Sequence, residues 1–203
     1  MKIICIGRNY KKHAVELNNE VPKEPIFFLK PDSSILPKKN NFYIPDFTNN
    51  IHYEVELVLK ICKLGKNIPI KFAKNYYNKI GLGIDFTARD IQENCKKNGL
   101  PWEISKAFDN STVLSQDFLE IKELDLNNIN FSLLKNDIEV QKGNSSDMIF
   151  SFNEIISYIS NFMTLKIGDL IFTGTPSGVG KVKIDDILIG NIADKQMFKV
   201  KVK

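Results

Sequence analysis

The chain has 203 residues, 43% of them hydrophobic and 26% charged, the balance of a globular domain rather than a disordered or fibrous chain. A net charge of +4 arises from 28 basic and 24 acidic residues, yet Arg8 and Arg89 are the only arginines. Nucleic-acid readers lean on arginine, so that partner class is not expected.

A chain of this length buries about 70% of its unfolded surface and needs no staples. No apolar run reaches the roughly 18 residues of a membrane span, and the apolar stretch at residues 3–6 is too short for a signal-peptide core. Cys5, Cys62 and Cys95 are odd in number, widely spaced and form no CxxC pair, which argues against disulfides and a cysteine zinc site. The expectation is a cytoplasmic protein with no membrane partner.

In chain order, residues 2–6 read as a short strand ended by Gly7, and a weak helical turn follows around Ala14, Val15 and Leu17. Residues 18–25 have the composition of a loop or flap, residues 26–29 form a compact apolar strand stopped by Pro31, and residues 37–50 make a long irregular connection. His52 to Lys60 alternates and predicts one strand. Residues 70–79 suit a short helix before a glycine-rich strand at 80–85. Asp90 to Asn98 predicts a helix closed by Gly99, with Pro101 beyond. Strands are expected near 129–134, 138–141 and 147–150. Ser151-Phe152-Asn153-Glu154 is a capping box opening a helix whose apolar face is Ile155, Ile156 and Ile159. Residues 166–169 turn into a strand at 170–173, and Phe198, Val200 and Val202 alternate with lysines in a half-exposed final strand. Many short strands, two or three helices and no repeat or linker predict a single β-rich α+β domain over residues 1–203.

On a strand, His52, Glu54 and Glu56 share one face. Two carboxylates so placed can lean onto one hard divalent cation such as Mg²⁺; the same pattern also suits a solvated strand face. Asp85 ends the glycine-rich strand and is a third candidate oxygen donor, or else a helix-capping aspartate. Arg89 and Gln92, three apart, share a helix face suited to an anionic substrate. His13 and Glu16, also three apart, can pair as an oriented general base or sit together on the surface. Residues 174–182 miss the phosphate-loop spacing, with Val182 where Ser or Thr belongs. Residues 81–86 lack the third glycine of a dinucleotide fingerprint.

Six segments taken in order resemble the fumarylacetoacetate hydrolase family, in particular its short acylpyruvase and oxaloacetate decarboxylase branch. They are Gly7-Arg8-Asn9-Tyr10-Lys11-Lys12-His13-Ala14-Val15-Glu16, Phe28-Leu29-Lys30-Pro31, His52-Tyr53-Glu54-Val55-Glu56-Leu57, Asp85-Phe86-Thr87-Ala88-Arg89-Asp90-Ile91-Gln92, Gly99-Leu100-Pro101-Trp102 with Lys106, and Thr173-Gly174-Thr175-Pro176-Ser177-Gly178-Val179-Gly180.

The resemblance implies a mixed β-sandwich roll with a few short helices, usually a homodimer, and Mg²⁺ or Mn²⁺ held by Glu54, Glu56 and Asp85. It implies that Lys106 reaches a substrate oxygen, that Arg8, Arg89, Gln92, Thr173, Gly174 and Thr175 position the substrate, and that His13 and Glu16 activate water from a flap. Tyr10 and Lys30 look like supporting pocket residues. The implied activity is metal-dependent C–C cleavage of a small 2-oxo acid through a metal-stabilised enolate, as acylpyruvate hydrolysis or oxaloacetate decarboxylation. The alternative at the same site is an isomerase or tautomerase of 2-hydroxy-diene or enol acids, oxaloacetate included. A non-catalytic carboxylate binder is disfavoured, because chelation alone needs no His13, Glu16 or Lys106.

Overall fold

Short apolar and alternating runs dominate the chain, and they form fourteen strands and four α-helices in the computed structural model, which describes residues 1–203. In order, the strands of the first half are β1 (Ile3–Gly7), β2 (Ile26–Lys30), β3 (Ile51–Tyr53), β4 (Val55–Ile61), β5 (Tyr77–Asp85) and β6 (Thr87–Ala88). The second half adds β7 (Thr112–Leu114), β8 (Leu119–Glu120), β9 (Asn130–Lys135), β10 (Ile138–Asn144), β11 (Leu170–Phe172), β12 (Gly180–Lys181), β13 (Ile187–Ile192) and β14 (Lys195–Lys201). The helices are α1 (Lys11–Glu16), α2 (Arg89–Asn98), α3 (Glu103–Lys106) and α4 (Phe152–Phe162).

Three sheets result. A seven-stranded sheet runs β2-β1-β11-β4-β5-β7 with β8 also on β5, a four-stranded sheet runs β10-β9-β13-β14, and a small one runs β12-β3-β6. The β1–β11 pair is parallel and its neighbours are antiparallel, so the large sheet is mixed. Alternation along β1 sends Ile4 and Ile6 into a cluster of 36 buried residues shared with the four-stranded sheet, while Ile3 and Cys5 join a second cluster behind. The large sheet is therefore buried on both faces near its centre, where each fully buried Leu or Ile contributes about 1.5–3 kcal/mol. This is the β-rich α+β sandwich expected.

Most local expectations hold, and the exceptions are informative. The capping box at Ser151 and Glu154 forms, and α4 buries Ile155, Ile156 and Ile159. Gly99 closes α2 in the left-handed conformation at φ 65°. The strand expected at His52 to Lys60 is broken at Glu54: β3 pairs with β6 and β12, whereas β4 pairs with β5 and β11. His52 is thereby carried into the small sheet, where its Nε2 meets Asn50 Oδ1 at 3.0 Å instead of joining the carboxylates. Residues 70–76 form a 3₁₀-helix, and the expected end of that helix is already β5. Residues 147–150 make no strand; a 3₁₀ turn spans Ser145–Asp147. Helix α3, four residues long, carries no periodic signal that sequence reading could detect.

Candidate active site and metal centre

The register of β4 on β5 builds the site. Glu56 lies opposite Gly83 and Val55 opposite Ile84, and the Asp85 N–H donates to the Glu54 carbonyl at 2.9 Å, so Glu54 and Asp85 are neighbours at the sheet's end. One oxygen from each of Glu54, Glu56 and Asp85 can lie within 4.8 Å of the others, and all three residues are buried.

Cationic side chains surround two of the three. Lys106 Nζ donates to Glu54 Oε2 at 2.8 Å, to Asp85 Oδ2 at 2.7 Å and to Thr87 Oγ1 at 2.5 Å. Lys30, fully buried, donates to Asp85 Oδ1 at 2.6 Å and to the Ser111 carbonyl at 2.9 Å. The Arg89 guanidinium bonds Glu54 Oε1 and reaches Gln92 Oε1 at 2.6 Å. Glu56 has no such partner, only the Gly174 N–H at 2.6 Å.

The electrostatics follow this division. Burial pushes the Glu54 carboxyl up, but the charges of Lys106 and Arg89 outweigh it and hold the group ionised. Burial together with Asp85 and Glu54 raises Glu56 well above the usual carboxylate range. Burial opposes the charge on Lys106 as well, and Asp85 and Glu54 more than restore it. Three buried carboxylates around one point, one of them without a cationic side chain, are the oxygen set that a hard divalent ion takes. The residues therefore fit Mg²⁺ or Mn²⁺.

A second wall comes from the segment after β1. Asn9 is fully buried; its amide donates to the carbonyls of Phe150 at 3.0 Å and Thr173 at 2.8 Å and accepts from the Phe150 N–H at 2.7 Å. This ties α1 down, so that His13 is buried with Nδ1 at 3.2 Å from Glu16 Oε2. Glu16 Oε1 in turn accepts from the Gly178 N–H at 2.9 Å. Burial lowers the His13 pKa, partly countered by Glu54 and Glu16, which favours the neutral imidazole.

The turn after β11 completes the enclosure. Thr173 Oγ1 donates to the Leu57 carbonyl at 3.0 Å, and Gln141 Nε2 donates to Thr175 Oγ1 at 2.9 Å. Gly174 adopts φ 100°, and a Cβ there would stand 2.6 Å from Asn9 Cβ. Only glycine allows the turn to approach this closely.

Between these walls is a cavity of about 30 Å³ bordered by the three carboxylates and by Arg8, His13, Arg89, Gln92, Lys106 and Thr175. Glu16, Thr173 and Gly174 stand behind that border and act on it through hydrogen bonds. Sequence reading passed over Asn9 and Lys96 as site residues. Lys96 was detectable, since it follows Gln92 by one helical turn; Asn9 was not, because its partners lie more than 140 positions away. An open groove of about 640 Å³ elsewhere, bordered by Tyr77, Leu126 and Met148, contains none of these residues, so size alone does not mark the site.

Residues 2–200 match the family model described as Fumarylacetoacetate (FAA) hydrolase C-terminal. A protein named oxaloacetate decarboxylase, mitochondrial, from Dictyostelium discoideum is 45% identical over 188 residues, covering 92% of this chain and 86% of its own. An oxaloacetate tautomerase, mitochondrial, from Arabidopsis thaliana is 43% identical, with coverage of 94% and 86%. The crystal structure of fumarylpyruvate hydrolase from Pseudomonas aeruginosa in complex with Mn²⁺ and pyruvate superposes with a TM-score of 0.93 at 35% identity, covering 100% of this chain and 89% of that one. The cytoplasmic expectation is not upheld, since these curated relatives carry a mitochondrial designation. Three free cysteines do not tell one compartment from another. No helix is long and apolar enough to cross a membrane.

Proposed function

Because the chain belongs to the fumarylacetoacetate hydrolase C-terminal family, we propose that residues 1–203 form one catalytic domain, a divalent-cation-dependent enzyme that cleaves a C–C bond in small 2-oxo acids. The observation that carries this reading is the buried triangle of Glu54, Glu56 and Asp85 with Lys106 bridging two of its corners. Mg²⁺ or Mn²⁺ held there would, when bound, polarise the keto group and draw negative charge onto its oxygen. The working assembly is a homodimer.

The chain's own residues do the rest. Glu16 engages His13 Nδ1, which leaves Nε2 as the free ring nitrogen, and the neutral imidazole accepts a proton near neutral pH. In acylpyruvate hydrolysis that proton comes from a water attacking the distal carbonyl. The bond to carbon 3 breaks, its electron pair passes to the pyruvate enolate, and protonation of carbon 3 releases pyruvate beside a carboxylic acid. In oxaloacetate decarboxylation the bond from carbon 3 to the distal carboxylate breaks instead, CO₂ departs, and the same enolate is protonated without water being consumed. The Lys106 ammonium stabilises charge on the enolate oxygen, an effect worth about 3 kcal/mol for one preorganised donor. Arg8, Arg89, Gln92 and Thr175 supply donors for the substrate's oxygens, and Thr173 and Gly174 position it through the turn.

The name of the Arabidopsis relative favours a second reading, oxaloacetate keto–enol tautomerisation, which needs only proton movement between carbon 3 and oxygen. The test is pyruvate release from acetylpyruvate and oxaloacetate with Mg²⁺, with EDTA and without enzyme, alongside the decay of enol absorbance. Chelator-sensitive pyruvate above the enzyme-free control is expected. Rapid enol loss without pyruvate selects the tautomerase, and neither signal overturns both readings. His13→Ala is expected to cost about 100-fold or more in hydrolysis and clearly less in decarboxylation. Equal losses would remove the water-activating role.

A further inference from the structure

The inward face of α2 extends past the residues placed above. Arg89, Gln92 and Lys96 follow helical spacing, so one face presents all three, and all three border the cavity beside the acidic triad. Arg89 and Gln92 are already engaged, with each other and with Glu54. Lys96 is not. It and Arg8, which also borders the cavity, form no ion pair, whereas Lys30, Arg89 and Lys106 all do. The buried Arg8 Nε has no hydrogen-bond partner at all.

The wall between the cations is aromatic. Lys96 Nζ stands 5.7 Å over the Trp102 ring, Trp102 meets Phe28 edge-on at 6.0 Å, and Lys106 Nζ lies 5.2 Å over Phe28. Two rings thus lead from the ammonium at the triad to a second ammonium that has no counter-charge. Holding Lys96 half-buried beside like charges is costly: burial, Arg89 and Arg8 together push its ammonium down to about 8. An anion in this part of the cavity would relieve the repulsion and satisfy the free donors.

We propose that Lys96 and Arg8 form an anion subsite for the distal carboxylate of a dicarboxylic 2-oxo acid, with Lys96 as the residue that sets preference for diacids over acids with a neutral acyl tail. This rests on the reading of the site as one for 2-oxo acids. Lys96→Met keeps the aliphatic stem over Trp102 and removes the charge; Lys96→Arg keeps the charge. The readout is the ratio of kcat/KM for oxaloacetate to that for acetylpyruvate. Lys96→Met is expected to lower this ratio about tenfold, chiefly through the KM for oxaloacetate, and Lys96→Arg to restore it to within about threefold. An unchanged ratio, or equal losses with both substrates, overturns the subsite. If the parent protein turns over neither substrate, the reading of the reaction fails. Calorimetric titration of the Mg²⁺-loaded protein then decides the subsite, using oxaloacetate and 2-oxobutyrate, which has the same chain length without the distal carboxylate. A diacid preference that Lys96→Met abolishes upholds the subsite, and equal affinities overturn it.

Discussion

At Asp169, burial and hydrogen bonding pull in opposite directions. Burial pushes its carboxyl up, while donors from Lys2 and Lys166 pull it down and prevail. Lys2 supplies its backbone N–H at 2.9 Å and its ammonium at 2.5 Å, and Lys166 its N–H at 2.8 Å. The bonds pin the start of β1 to the turn that feeds β11. Asp169→Asn is expected to cost about 1.5–3 kcal/mol at pH 7, toward the lower end because the Lys2 ammonium is partly exposed. Since the folded carboxyl titrates below its unfolded value, this stabilisation is complete above the unfolded pKa and is lost as pH falls through the folded one. Urea unfolding of parent and variant should therefore show a gap at pH 7 that narrows at pH 3. A gap of constant size would mean that the carboxylate's charge is not the source.

The turns between elements separate two uses of glycine. Gly99 ends α2 at φ 65° with nothing within 4 Å of the place a Cβ would take, whereas at Gly174, with φ 100°, a Cβ would strike Asn9. Gly99→Ala should cost only the strain of a left-handed residue, about 1–2 kcal/mol, and leave the rate intact. Gly174→Ala has to displace the turn whose N–H faces Glu56, so it should also lower kcat/KM by about tenfold or more. Melting temperatures and rates measured on both variants check this; parallel losses in the two would show that Gly174 matters only for stability. The elements that sequence foresaw well are those governed by neighbours along the chain, such as the Ser151 cap of α4 and the Gly99 stop of α2. The break at Glu54 eluded it, because β3 and β4 are separated by which strands they pair with, not by their own residues.

For the molecule as a whole, the cavity of about 30 Å³ beside the acidic triad is small against a four-carbon acid. One side of it is α1, held by the Asn9 bonds and by Glu16 on the Gly178 N–H, while the opposite wall is the doubly buried sheet. Opening of α1 and the following loop is the expected route of substrate entry, with closure then excluding bulk water from His13. Hydrogen exchange across residues 10–19 should slow when Mg²⁺ and oxalate are added together. Identical exchange with and without them would show that access lies elsewhere.

The sequence by itself determined the local chemistry. His13 meets Glu16 because three positions make one helical turn, and Arg89 meets Gln92 for the same reason. It also carried the six ordered segments by which the family was legible, and the alternation that buries one face of the final strand, β14. The pairing of charges was decided by tertiary structure alone. Lys106 lies 52 positions from Glu54, and Lys30 lies 55 from Asp85. Spacing along the chain says nothing about such distances: the register of β4 on β5, fixed by side chains packing on both faces of the sheet, sets Glu54 beside Asp85, and the placement of β2 and α3 brings Lys30 and Lys106 to them.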